Sequence, residues 1–167
     1  MMKFDNTIVR RQDRLLEEQE AQQLLRESEY GVLSMVDTDG SGYGVPLNYV
    51  WNGDDVLYVH CAPQGHKLQA LARNAAVSFC VVGGVKLMPA SFTTEYKSVI
   101  LKGTTTIDLP DDEKRHALHL LIEKLSPNDL EIGAKYIEKS FHRVKVMRIT
   151  VHSYSAKRKQ VKSKITY

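Results

Sequence analysis

The sequence predicts a mainly β fold with added helices, an α+β domain built on a small antiparallel barrel. Runs of β-branched and aromatic residues recur along the chain, and several follow one another across tight turns. The helical periodicities fall in separate segments, with no regular alternation of strand and helix to signal a parallel sheet. The pattern amounts to about six strands with three or four helices around them.

Taken in order, EEQEAQQLLRES at 17–28 places Ala21, Leu24, Leu25 and Ser28 on one helical face. Gly31 ends that periodicity, VLSMV reads as a strand, and DTDGSG is a turn. In YGVPLNYVWNGDDVLYVHC two β-rich runs flank Asn52-Gly53-Asp54, a hairpin signal because Asn and Gly tolerate positive φ. Pro46 cannot donate to a ladder, so its strand bends or lies open on one side. A short helix at 65–73 ends at Asn74, and AVSFCVVGG is a buried strand. YKSVILKGTTTI at 96–107 is a long strand. Pro110 suits a first helical position before Asp111, Asp112 and Glu113, and Ala117, Leu118, Leu121, Ile122 and Leu125 form that helix's apolar face. Ser126-Pro127 caps a further helix, and VKVMRITVHSYSA closes the pattern as a strand whose alternation slips near Met147.

Composition narrows the function classes. The 167 residues are 43% hydrophobic and 26% charged, as in a folded domain with a real core, and one domain over 1–167 is expected. No apolar run reaches the roughly 18 residues that span a bilayer. The start, MMKFDNTIVRRQDRLLEEQE, has no apolar centre or small-residue cleavage site, which makes the cytoplasm the expected location. Cys61 and Cys80 cannot build a disulfide framework and match no zinc spacing. His116, His119, His142 and His152 lack ligand spacing as well, so no metal site is expected. The net charge of +3 gathers at the end, in Lys157, Arg158, Lys159, Lys162 and Lys164. With residues 1–12 read as an arm and 157–167 as a basic tail, that tail is expected to be a solvated end. Basic and aromatic residues are not interleaved as nucleic-acid binding requires.

The stretch CAPQGHKLQALARN carries the first chemistry. Gly65, His66 and Lys67 stand where a strand gives way to a helix, whose first N–H groups have no helical acceptor. Glycine permits close backbone approach and lysine adds charge, which suits a phosphate monoester. Three residues do not separate that site from solvated surface, and the two-glycine spacing of a P-loop is missing. His60 reads equally as a hydrogen-bonded core histidine and Cys61 as a small buried residue. Tyr49 and Trp51 serve packing as readily as ring stacking.

In order and spacing, VPLNYVW, LYVHCA, GHKLQAL, RNAAVSF and EYKSVILKGT resemble the FMN-binding split barrels related to pyridoxamine 5′-phosphate oxidase. Within that superfamily the chain is most similar to the 5-nitroimidazole resistance group. The resemblance implies a homodimeric split β-barrel with FMN, or FAD as the alternative flavin, in a groove between subunits. Pro46, Leu47 and Asn48 would lie along the flavin ring, and His60 and Ala62 would flank the loop on the phosphate side. Gly65, His66 and Lys67 would hold the phosphate, and Ser98 would add a hydroxyl with Tyr96 close by. Ala75 follows Arg73-Asn74 where members of the family often have proline, and the arginines with which the oxidase proper holds pyridoxal phosphate are missing. The implied function is a flavin-dependent oxidoreductase acting on a small planar substrate such as a nitroimidazole, with NAD(P)H as a transient donor and His66 as proton donor. The alternative is a protein that binds flavin or haem without turnover, with His60 or His152 as the axial ligand.

Overall fold

The computed structural model describes residues 1–161. Its centre is an eight-stranded sheet in the order β3-β2-β6-β7-β8-β5-β4, with β1 added in parallel to β8. The strands are β1 (Lys3–Phe4), β2 (Tyr30–Val36), β3 (Gly42–Asn48), β4 (Val50–Trp51), β5 (Val56–Cys61), β6 (Ala76–Met88), β7 (Thr93–Thr106) and β8 (Lys145–Lys159). The helices are α1 (Glu18–Glu27), α2 (His66–Arg73), α3 (Asp111–Leu125) and α4 (Leu130–Ser140). Every pairing but that of β1 is antiparallel. The sheet curls without closing, and β3 and β4 are its two ends. This is the split barrel expected from the sequence.

Period-2 patterning explains the curl. In β2, Gly31, Leu33 and Met35 are buried while Tyr30, Val32, Ser34 and Val36 face out. The inward set joins Phe79, Val81, Val99, Leu101, Met147, Ile149 and Val151 in the barrel core. Helix α1 lays Ala21, Leu24 and Leu25 on this core, and the buried Tyr49 hydroxyl donates to the Leu25 carbonyl at its C-terminus. Each such leucine, fully buried, is worth about 1.5–3 kcal/mol. A second cluster joins Val50, Tyr58 and Val146, on the other face of the sheet, to Ala117, Leu118 and Leu121 of α3 and Ile137 of α4. The slip near Met147 follows from this arrangement, because Val146 points at the helices and Met147 into the barrel.

Four boundaries differ from the sequence reading. Gly83-Gly84 does not end β6, which continues past a register shift to Met88 and pairs with a correspondingly longer β7. Pro110 stands just outside α3, and Asp129 rather than Ser126 precedes α4. The two-residue strands β1 and β4 add to the about six strands expected, since periodicity has no purchase on two residues. The last strand also runs beyond Ala156, with Lys157, Arg158 and Lys159 opposite Ser98, Lys97 and Tyr96. The first three residues of the basic tail are therefore sheet and not a solvated end. Lys162 and Lys164 lie outside the described residues.

Candidate functional site

Helix α2 starts beside the β2–β3 turn. Gly65 has φ 151° and ψ 164°, a conformation that side chains disfavour, and a Cβ there would meet nothing within 4 Å. The backbone is thus bare at the helix start, and no acidic residue stands in the first turn of α2 to offset its positive end. Lys67 is half-buried there. The His66 side chain is held at the end of β2 and on β3: its Nε2 lies 2.8 Å from the Asp37 carboxylate, and its ring packs edge-on to Tyr43 at 5.1 Å. The hydrogen bond from His66, followed by that from the Thr38 backbone, holds the Asp37 carboxyl below its usual range. Asp37 and Tyr43 are not among the residues that the sequence singled out, since the turn signal DTDGSG accounted for the aspartate and no motif marked the tyrosine.

Strand β3 has a neighbour on one edge only, as Pro46 predicts. Pro46 pairs with Val32, and Asn48 with Tyr30, so both side chains share the outer face of the sheet, while Leu47 packs toward the core. Pro46 lies three residues along β3 from Tyr43, roughly 10 Å at strand rise. An elongated molecule with its acidic end at α2 would reach it.

Ser98 is also on the outer face, opposite Val82 and Lys157. The residue is 5% exposed, and its hydroxyl has no hydrogen-bond partner among the described residues. Ile8–Arg11 of the N-terminal arm, Ser155 and Lys157 close around it to leave a cavity of about 240 Å³. Tyr96, two residues earlier, has the Lys157 ammonium 5.9 Å from its ring centroid. Five residues along β7, roughly 17 Å, separate Ser98 from the row Met35–Val77–Gly103, and His66 lies past that row beside Asp37. One protomer therefore does not bring Ser98 and Tyr96 to Gly65, His66 and Lys67.

His60 and Ala62 fall in a third place. They line a cavity of about 450 Å³ under α3 and α4, on the opposite side of β5 from the barrel core. His60 is open to solvent at one edge, yet its apolar surroundings lower its pKa. Burial raises the thiol pKa of both Cys61 and Cys80, which keeps them in the unreactive form. His152 hydrogen-bonds with Thr104 at 3.3 Å. No described helix is long and apolar enough to cross a membrane.

The outer face between these groups exposes four aliphatic side chains. Val32, Val36, Val82 and Ile100 are 37%, 40%, 51% and 38% exposed, and all four project from the same side of β2, β6 and β7. An apolar patch of this kind on a sheet face is a mark of a contact surface.

The family model for pyridoxamine 5′-phosphate oxidase matches residues 17–158. Comparison with curated proteins finds no match. Among solved structures, the fold is similar to that of a candidate 5-nitroimidazole antibiotic resistance protein from Bacteroides thetaiotaomicron, with a TM-score of 0.73 and 24% identity over 86% of this chain and 85% of that one. The FAD and heme binding protein from Mycobacterium smegmatis is similar at a TM-score of 0.70 and 22% identity, over 87% and 72% of the two chains. A FAD-binding protein from Mesorhizobium loti aligns at 0.60 and 24% identity, over 88% and 98%.

Proposed function

The chain belongs to the pyridoxamine 5′-phosphate oxidase family, and from that premise we propose that it is a homodimeric flavoprotein that reduces a small planar acceptor. The observation that carries this reading is the Ser98 hydroxyl, buried without a partner among the described residues on an outer sheet face that also exposes Val32, Val36, Val82 and Ile100. A buried orphan hydroxyl costs about 1–3 kcal/mol, a cost that a ligand acceptor would relieve. The chain's residues fit FMN. Gly65, His66 and Lys67 bind its phosphate, the open edge of β3 at Pro46, Leu47 and Asn48 runs along its ring, and Ser98 and Tyr96 reach it from the partner subunit. Dimerisation across the outer face joins what one protomer holds roughly 17 Å apart, and it covers Val32, Val82 and Ile100. FAD in place of FMN would use the same residues.

When bound, the flavin supplies hydride chemistry between a donor such as NAD(P)H and a flat acceptor such as a nitroimidazole. His66 then gives a proton to the reduced acceptor. Asp37, 2.8 Å from its Nε2, sets its orientation. Lys67 and the positive end of α2 neutralise the cofactor's phosphate.

His60 favours a second reading, a carrier of haem without turnover, because its imidazole borders the apolar cavity under α3 and α4. Mass analysis of the chromophore in the purified protein separates the two, followed by anaerobic NAD(P)H reduction with and without a nitroimidazole. The proposal expects a flavin that bleaches and is reoxidised by the nitroimidazole. A chromophore-free protein that takes up no flavin, or a Soret band in its place, contradicts it.

A further inference from the structure

The cavity beneath the two helices has a composition that the flavin reading leaves unused. Its walls are Leu118, Leu121, Ile122 and Leu125 of α3 and Ile137 of α4, five aliphatic side chains. Its polar groups are His60, Tyr136, Arg143, Ser126 and Ser140, and no carboxylate lines it. Arg143 is an exposed guanidinium in the single 3₁₀ turn, Phe141–Arg143, that joins α4 to β8. It enters none of the ion pairs among the described residues. Three acidic groups of the helices are paired elsewhere, Glu138 with Arg115, Glu131 with Lys135 and Glu113 with Arg148, and Asp111, Asp112 and Glu123 do not line the cavity. The turn itself is pinned, with Lys114 Nζ donating to the Phe141 carbonyl at 2.7 Å and lying 4.1 Å from that ring's centroid.

An aliphatic chamber with one uncommitted cation at its mouth selects for charge as well as for apolar bulk. A neutral hydrocarbon would fill the walls and leave the guanidinium unused. A dianionic phosphate would bring more charge than one cation and a neutral imidazole balance, with leucines to desolvate it. At about 450 Å³ the space falls in the ordinary range for small-molecule sites. We propose that this cavity binds a small apolar acid, its hydrocarbon body between α3 and α4 and its carboxylate on Arg143. The Tyr136 hydroxyl and His60 are the further hydrogen-bond donors at hand. The cavity begins at Ala62, three residues before the helix start that the flavin reading gives to the phosphate, and its test reads acid binding by itself.

Calorimetric titration of the full-length protein as purified tests this with three probes: 2-naphthoate, octanoate, and 2-naphthamide as the uncharged match of the first. At least one acid binds, and which of the two does so distinguishes an aromatic from an aliphatic occupant. Naphthamide binds about tenfold more weakly than naphthoate if the occupant is aromatic. Arg143→Gln weakens the bound acid by about tenfold, the loss of one charge-assisted hydrogen bond at a partly exposed site. Ser126→Trp, at the exposed rim, blocks entry and abolishes binding. Both substitutions are on the surface, and an unchanged melting temperature verifies that each variant is folded. Absence of binding by both acids, acid binding that neither variant alters, or a Soret band showing haem in the purified protein would each overturn the proposal.

Discussion

Lys67 and Lys124 show how position decides what a lysine does. Lys67 stands at a bare helix start, where its charge is free to meet an anion. Replacing it with alanine should lower FMN affinity by about ten- to hundredfold while leaving riboflavin affinity nearly unchanged, because only the phosphate is addressed. Equal losses for the two flavins would make Lys67 structural. Lys124 is half-buried, 3.8 Å from the centroid of the Tyr49 ring and 3.5 Å from the Leu25 carbonyl. Burial lowers its pKa from 10.5 to about 8. Between those two values the unfolded chain binds the extra proton, so this group's contribution to stability improves as the pH rises from about 8 toward 10.5. In a carbon-13 reductively methylated sample, one lysine resonance should titrate near pH 8 and vanish in Lys124→Arg. A spectrum in which every lysine titrates near its ordinary value would refute the burial argument. Sequence singled out Lys67, because a glycine and a helix start lie beside it in the chain. It was silent on Lys124, whose neighbours Tyr49 and Leu25 are brought to it only by the fold.

At the scale of elements, strands were legible where one face is buried and blurred where the ladder outruns the core. β2 alternates cleanly, and its ends follow from Gly31 and the DTDGSG turn. The outer part of β6, around Val85 and Leu87, is exposed on both faces, and Thr93–Lys97 of β7 are half-buried on both, so the period of two disappears although the strands still pair. The same holds for the end of β8. Lys157–Lys159 read as a solvated tail because three successive basic residues hide a strand. The structure gives them ladder partners, ties Arg158 to Glu20 at 3.1 Å and seats Lys157 over the Ser98 cavity. A chain ended at Ala156 should therefore melt about 5–10 °C below one ended at Val161, a loss of a few kcal/mol for a domain of this size. Equal melting temperatures in differential scanning calorimetry would restore the idle-tail reading. At the β7–β8 bulge, a Cβ on Gly103 would collide with the Thr150 carbonyl oxygen, so this bend depends on a residue whose role no strand propensity reveals.

At the scale of the whole molecule, one chain does not bring the candidate cofactor residues to a common centre. Gly65, His66 and Lys67 stand at the β2–β3 end, Ser98 and Tyr96 at the other end of β7, and His60 and Ala62 under the helices. The motifs carried the fold and the identity of these residues, but their distances depend on a partner surface that one chain's pattern cannot encode. The apolar outer face supplies the reason to expect that partner. Burying it against a second copy would remove Val32, Val36, Val82 and Ile100 from water at about 25 cal/mol per Å². The central claim, that flavin binds where two subunits meet, makes flavin occupancy and dimerisation one equilibrium. Sedimentation velocity over a dilution series, followed at flavin absorbance and at protein absorbance together, tests it most directly. The account predicts that flavin sediments only with the dimer and is released as the dimer dissociates, and that Val82→Glu on the outer face lowers both together. A stable monomer that carries flavin at full occupancy would contradict it.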